Sequence, residues 1–144
     1  MKSAIISIAA TLIASAAVAS PEIVANVDIS KQEMVVIVDG EKLHTWPVST
    51  AREGKETPLG IYDVEWLSAK HKSSLYNGAP MPWSIFYDGD YAIHGTTAID
   101  KLGSPASAGC VRLHPDNAKV LFKMVTKAGY DSLKIVVGDS TFSQ

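Results

Sequence analysis

A single cysteine, Cys110, stands among 144 residues, so no disulfide can close within the chain. Basic residues are also in short supply, with 13 Lys and Arg against 15 Asp and Glu and a net charge of −2. Nucleic-acid binding needs a basic face that this composition does not supply. Past the amino-terminal region, no apolar run approaches the ~20 residues that a membrane span requires. There is no internal repeat, coiled-coil heptad or linker, and the length suits one domain with one core.

The amino terminus carries its own pattern. Lys2 precedes an almost wholly apolar stretch from Ala4 to Val18, and Ala17-Val18-Ala19 ends it with small residues around one bulkier position. This anatomy predicts an export signal over residues 1–19, cut between Ala19 and Ser20. Residues 20–144 are then expected to form a single domain outside the cytoplasm with no membrane span. That portion holds twelve basic and fifteen acidic side chains, a net charge of −3. An unpaired thiol in an oxidising compartment is open to intermolecular pairing and overoxidation. Its presence there suggests a use, although a buried cysteine can also serve as a small hydrophobe.

Along the rest of the chain the β period dominates. Ile23 to Ile29 and Gln32 to Val38 are rich in β-branched residues, and Asp39-Gly40 is a hairpin signal leading into Lys42 to Val48. Thr57 to Trp66 reads as a turn followed by one strand, with Ile61, Asp63 and Glu65 on one face and Tyr62, Val64 and Trp66 on the other. The polar stretch from Ser68 to Pro82, broken by Asn77-Gly78 and two prolines, predicts a surface loop bordering a cleft. Trp83 to Tyr87 and Tyr91 to Ile93 flank Asp88-Gly89-Asp90 as a second hairpin, which sets His94 at the end of a strand. Thr96 to Ala108 should be irregular.

One helix is expected from about Pro115 to Lys127. Pro115 suits a first-turn position, Asp116 favours the positive helix start, and Val120, Leu121, Met124 and Val125 form an apolar stripe. Gly129 ends it, and Leu133 to Val137 reads as a last buried strand before the polar Asp139 to Gln144 tail. The fold class is therefore mainly β with one principal helix, an α+β arrangement of two packed sheets.

Cys110 and His94 are the residues with chemistry to offer. A free thiol titrates near ~8.5, and a nearby imidazole can take its proton or stabilise the anion. That pairing makes cysteine a candidate acyl acceptor. His44, His71 and His114 lack the spacing of metal ligands, and a zinc site would consume the Cys110/His94 pair, so neither metal nor other cofactor is expected.

The block from His94-Gly95-Thr96 through Leu102-Gly103 and Ser107-Ala108-Gly109-Cys110-Val111-Arg112-Leu113 to Asp116 resembles the L,D-transpeptidase catalytic domain family, YkuD. Val48-Ser49-Thr50-Ala51 and Thr57-Pro58-Leu59-Gly60-Ile61-Tyr62 match as well. The resemblance covers nearly all of residues 20–144 and implies a β-sandwich-like catalytic domain. It also implies a two-step acyl transfer on peptidoglycan stem peptides. The cysteine would attack the carbonyl of the third residue of a tetrapeptide, release D-alanine and carry the stem as a thioester. An amine would then accept it: a second stem, a free amino acid or an envelope protein. Water as acceptor, giving a carboxypeptidase or hydrolase, and a non-catalytic wall-binding domain are the alternatives.

On this resemblance Cys110 is the nucleophile and His94 its base. Gly95 supplies a carbonyl that orients the imidazole. Gly109 permits the tight turn that aims N–H groups at the oxyanion. Ser107 either holds this loop or is a turn serine. Arg112 either grips a substrate carboxylate or braces the loop, with a structural or mixed role favoured. Tyr91 and Trp83 are candidate groove-lining aromatics. Many family members place a basic residue before the Gly-Cys pair, whereas this chain has Ala108.

Overall fold

The β-branched runs of the first two strands alternate buried and half-buried positions, the period of a pleated strand. The computed structural model describes residues 3–15 and 19–139. Residues 16–18, where the expected export segment ends, and the tail 140–144 lie outside the described residues. Among those described, no helix is long and apolar enough to cross a membrane.

Strands β1 (Ile23–Asp28), β2 (Glu33–Val38), β3 (Glu41–Pro47), β4 (Gly60–Asp63) and β9 (Leu133–Gly138) build a five-stranded sheet in the order β3-β2-β1-β9-β4. Strands β5 (Trp66–Lys72), β6 (Pro80–Asp88), β7 (Tyr91–Gly95) and β8 (Val111–Leu113) build a four-stranded sheet in that order. Helix α1 (Pro115–Ala128) packs on β6 and β7. One apolar core joins all three layers, with Val27, Val36 and Ile135 from the first sheet, Ile85, Ile93 and Val111 from the second, and Leu121 from the helix. The expected α+β class with two sheets and one principal helix is the observed one.

Two of the expected elements need correction. The strand foreseen over Thr57 to Trp66 is two: β4 pairs with β9, and the chain then crosses between sheets, so that β5 starts at Trp66. Ser68 to Pro82 is not a loop, because β5 and β6 pair antiparallel from Trp66↔Phe86 to Lys72↔Pro80. The stretch reads as polar because β5 is an edge strand with little of its surface in the core. Only the tip turns, where Asn77 and Gly78 take positive φ of 52° and 68°.

In α1 the buried stripe is Ala118, Leu121, Phe122 and Val125, with Val120 on the exposed flank. The helix starts with His114 as its cap, whose Nδ1 accepts from the Asp116 N–H at 3.1 Å, and Pro115 follows in the first turn as expected. Leu121 is fully buried and Val120 is 40% exposed. Leu121→Ala should therefore cost about 2–5 kcal/mol and Val120→Ala under about 0.5 kcal/mol, read from urea unfolding midpoints.

Candidate active site

Strands β7 and β8 run parallel, with Ile93 opposite Val111, His94 opposite Arg112 and Gly95 opposite Leu113. Side chains alternate along a strand, so Ile93, Val111 and Leu113 enter the core while His94 and Arg112 share the other face. Cys110, two residues before Arg112, falls on that same face. Cys110, His94 and Arg112 all line one open cleft of about 710 Å³.

The turn that carries Cys110 is tied from several sides. Ser107 Oγ donates to the Cys110 carbonyl at 2.6 Å and accepts the Gly109 N–H at 3.0 Å. Thr57 Oγ1 donates to the Gly109 carbonyl at 2.8 Å and accepts the Ala51 N–H at 3.0 Å. The Ser107 N–H donates to the Thr50 carbonyl at 2.9 Å, and Ser49 and Arg112 exchange both backbone bonds at 3.0 and 2.9 Å. Gln32 in turn fixes Thr50, accepting its N–H at 2.9 Å and donating to its hydroxyl at 2.6 Å. The sequence pattern did not mark Gln32, a polar side chain on a turn. Its burial and its positive φ of 52° are the signals that identify it.

Gly109 adopts φ 144°, and a Cβ there would lie 2.7 Å from the Tyr91 ring and 2.9 Å from the Glu56 carbonyl oxygen. A ring can shift, but a backbone oxygen in a tied loop cannot. Two N–H groups beside Cys110 are already engaged, Gly109 with Ser107 Oγ and Arg112 with the Ser49 carbonyl. Neither is free to meet an oxyanion.

The imidazole is equally constrained. His94 is 5% exposed, and its Nδ1 lies 2.7 Å from the Gly95 carbonyl oxygen. A carbonyl has no proton to give, so Nδ1 carries the hydrogen and Nε2 keeps a free lone pair. Gly95 is packed so that a Cβ would meet Pro115 at 3.0 Å. Burial pushes the imidazole down to about 4, against the hydrogen bond to Gly95, which favours the cation, and with help from Arg112.

The thiol of Cys110 packs on Met81, Phe86 and Ala92 and donates to the Asp90 carbonyl at 3.6 Å. Burial raises its pKa, opposed by the Ala92 N–H and the Arg112 guanidinium, while Asp90 adds to the rise. Burial thus works against the thiolate and the imidazolium alike. Desolvation disfavours both charged forms at once.

Tyr91 borders the cleft with its ring against Gly109. Trp83 does not join it. A positive φ of 57° turns Trp83 out of strand alternation, and its ring meets Phe122 edge-on at 5.2 Å beneath the ammonium groups of Lys119 and Lys123. The other histidines are occupied elsewhere: His44 stacks on Trp46, His71 meets Phe86 edge-on, and His114 caps α1. Arg52 and Asp90 also line the cleft, and sequence reasoning did not select them.

A cysteine and an oriented histidine on one wall of an open cleft make a site suited to acyl transfer through sulfur. The L,D-transpeptidase catalytic domain family, YkuD, matches residues 22–138, and the chain belongs to that family. YqjB of Bacillus subtilis (strain 168), which carries an L,D-transpeptidase name, is 29% identical over 106 residues, covering 65% of this chain and 60% of its own length. The chain thus spans less than two thirds of that relative. An L,D-transpeptidase from Mycobacterium smegmatis superposes with a TM-score of 0.72 at 23% identity, over 82% of this chain and 59% of that one. L,D-transpeptidase 3 from Mycobacterium tuberculosis, solved with a faropenem-derived adduct, gives 0.71 at 20% identity, over 83% and 61%. These structures share the fold.

Gly109→Ala should destabilise the domain by about 1–3 kcal/mol and abolish alkylation of Cys110 at its normal rate. Adding Tyr91→Ala should fail to restore either, because the Glu56 carbonyl and the positive φ remain. Unfolding experiments and iodoacetamide kinetics measure the two effects.

The buried imidazole also sets a pH dependence. The unfolded chain takes a proton on His94 near 6.5, whereas the folded chain resists it down to about 4. Between those values the unfolded state binds more protons, so this contribution is complete above 6.5 and is lost as pH falls. The loss amounts to about 3 kcal/mol. Urea unfolding of wild type and His94→Ala across pH 7 to 4 should show the wild type losing that much more.

Proposed function

We propose that the protein is an exported, cysteine-dependent L,D-transpeptidase acting on peptidoglycan tetrapeptide stems. The observation that carries this reading is the shared face of Cys110 and His94, with the Nδ1 proton committed to Gly95 and Nε2 left as base. Cys110 Sγ attacks the carbonyl carbon of the third stem residue while its proton passes to His94 Nε2. The tetrahedral intermediate collapses, the C–N bond breaks, and Nε2 hands the proton to the departing D-alanine nitrogen. A thioester on Cys110 remains. The acceptor amine, from a second stem or an envelope protein, attacks it, loses a proton to Nε2, and the thiol recovers that proton as the C–S bond breaks.

Export is supported by the Ala4 to Val18 segment and by a substrate class that lies outside the cytoplasm. Neutral Cys110 and His94 transfer the proton within the reaction rather than before it, which makes His94 a general base in the strict sense.

Incubation of residues 20–144 with a tetrapeptide muropeptide should give, by intact-protein mass spectrometry, a stem adduct less D-alanine on Cys110. Faropenem or a carbapenem should label the same sulfur. Cys110→Ala should give no adduct, and His94→Ala should slow its formation by about 10²-fold or more. Full recovery of stem peptide with an unmodified wild-type protein would refute the reading.

A further inference from the structure

Arg112 has a backbone and a side chain with different employment. Its N–H and C=O are both bonded to Ser49. Its guanidinium, half-buried on the cleft wall, forms no hydrogen bond or ion pair among the described residues. A guanidinium offers five donors, and leaving them unpaired while partly desolvated is costly. A side chain that braced the loop would spend those donors on loop carbonyls, and here the backbone does the bracing.

The position of Arg112 relative to His94 says what it faces. The two are opposite one another across the parallel pair, so their backbones lie about 4.8 Å apart with side chains on one face. In the reaction proposed above, on which this inference rests, His94 Nε2 gives its proton to the leaving nitrogen. When the leaving group is a single amino acid, its carboxylate carbon lies two bonds past that nitrogen, about 2.5 Å away. The free carboxylate of the departing residue then lies on the His94 side of the cleft, on whose wall Arg112 also stands.

We infer that Arg112 is a specificity-determining residue that binds the terminal carboxylate of the leaving amino acid, restricting the enzyme to donors whose scissile bond is one residue from a free carboxyl end. A donor with two residues beyond that bond, or with an amidated end, presents a neutral amide there and leaves the guanidinium without its anion. Planar two-point binding of a carboxylate is what arginine does better than lysine. The stem's diamino acid can carry a carboxylate of its own, but it extends from the acyl side of the scissile bond, away from the leaving nitrogen.

The test measures thioester formation on Cys110 with three tetrapeptide donors: one unmodified, one amidated at the terminal D-alanine, and one amidated at the diamino-acid carboxylate. Preferences are taken as ratios within each variant, so any change in thiol reactivity cancels. Wild type should favour the unmodified donor over the end-amidated one by about 10- to 100-fold and treat the side-amidated donor like the unmodified one. Arg112→Gln should bring the first ratio near unity, Arg112→Lys should keep an intermediate value, and Arg52→Gln should keep the wild-type ratio. Iodoacetamide labelling of each variant verifies a folded site. A wild-type ratio near unity, a ratio that survives Arg112→Gln, a preference that follows the diamino-acid carboxylate, or a preference lost in Arg52→Gln would each overturn the assignment. If wild type forms no thioester with any donor, the transpeptidase reading fails and this inference with it.

Discussion

The pairing of β7 with β8 is the constraint on which the site depends. Parallel neighbours cannot be joined by a tight turn, so the chain between them must leave the sheet and come back. Here it does so through residues 96–110, with a single short 3₁₀ turn at Ile99–Lys101 and no covering helix. Such a connection has few local contacts to fix its return. It is fixed instead by the extension of β3, where Val48, Ser49 and Thr50 bond to Gly103, Arg112 and Ala106–Ser107. Cys110 is thus positioned by hydrogen bonds to segments about sixty residues away in sequence. This accounts for the wide separation of the family-like stretches: each contributes a bond to the same loop.

Burial then sets the chemistry available. Each neutral partner is held against ionisation, so a preformed thiolate–imidazolium pair is disfavoured at both ends. The thiol donates to the Asp90 carbonyl, and the His94 ring is held through Nδ1 by the Gly95 carbonyl, which leaves Nε2 without a proton. A thiol kept protonated is a poor target for oxidants, because the thiolate is the reactive form. For a lone cysteine in an oxidising compartment, where the proposed export would put it, that would be a means of persistence.

Local chemistry made part of this legible in the sequence. The turns at Asp39-Gly40 and Asp88-Gly89-Asp90, the Pro115 helix start and the Cys110/His94 pair follow from residue types whose preferences act over a few positions. What escaped depended on tertiary pairing. The edge strand β5 is polar because one sheet partner is enough to form it. Trp83 looked like a groove aromatic until its positive φ turned it to the helix. Val120 fits a helical stripe as well as Phe122 does, and only the direction of approach to β6 and β7 selects Phe122 for burial. Gln32 works through a contact eighteen positions along the chain, which no local pattern encodes.

Ala108 sharpens the question of what the positive charge near the sulfur does. In many family members a basic residue stands at this place, and here Arg112 is the cation acting on the pair. Its charge favours loss of the proton from Cys110 and disfavours arrival of that proton on His94. For transfer between the two, these effects oppose one another and leave only their difference. A guanidinium in this position is therefore an inefficient activator of the pair as a whole. Toward an anion entering the cleft it acts with its full charge, undivided. The electrostatics are thus those expected of the roles proposed above, with His94 moving the proton and Arg112 meeting a carboxylate.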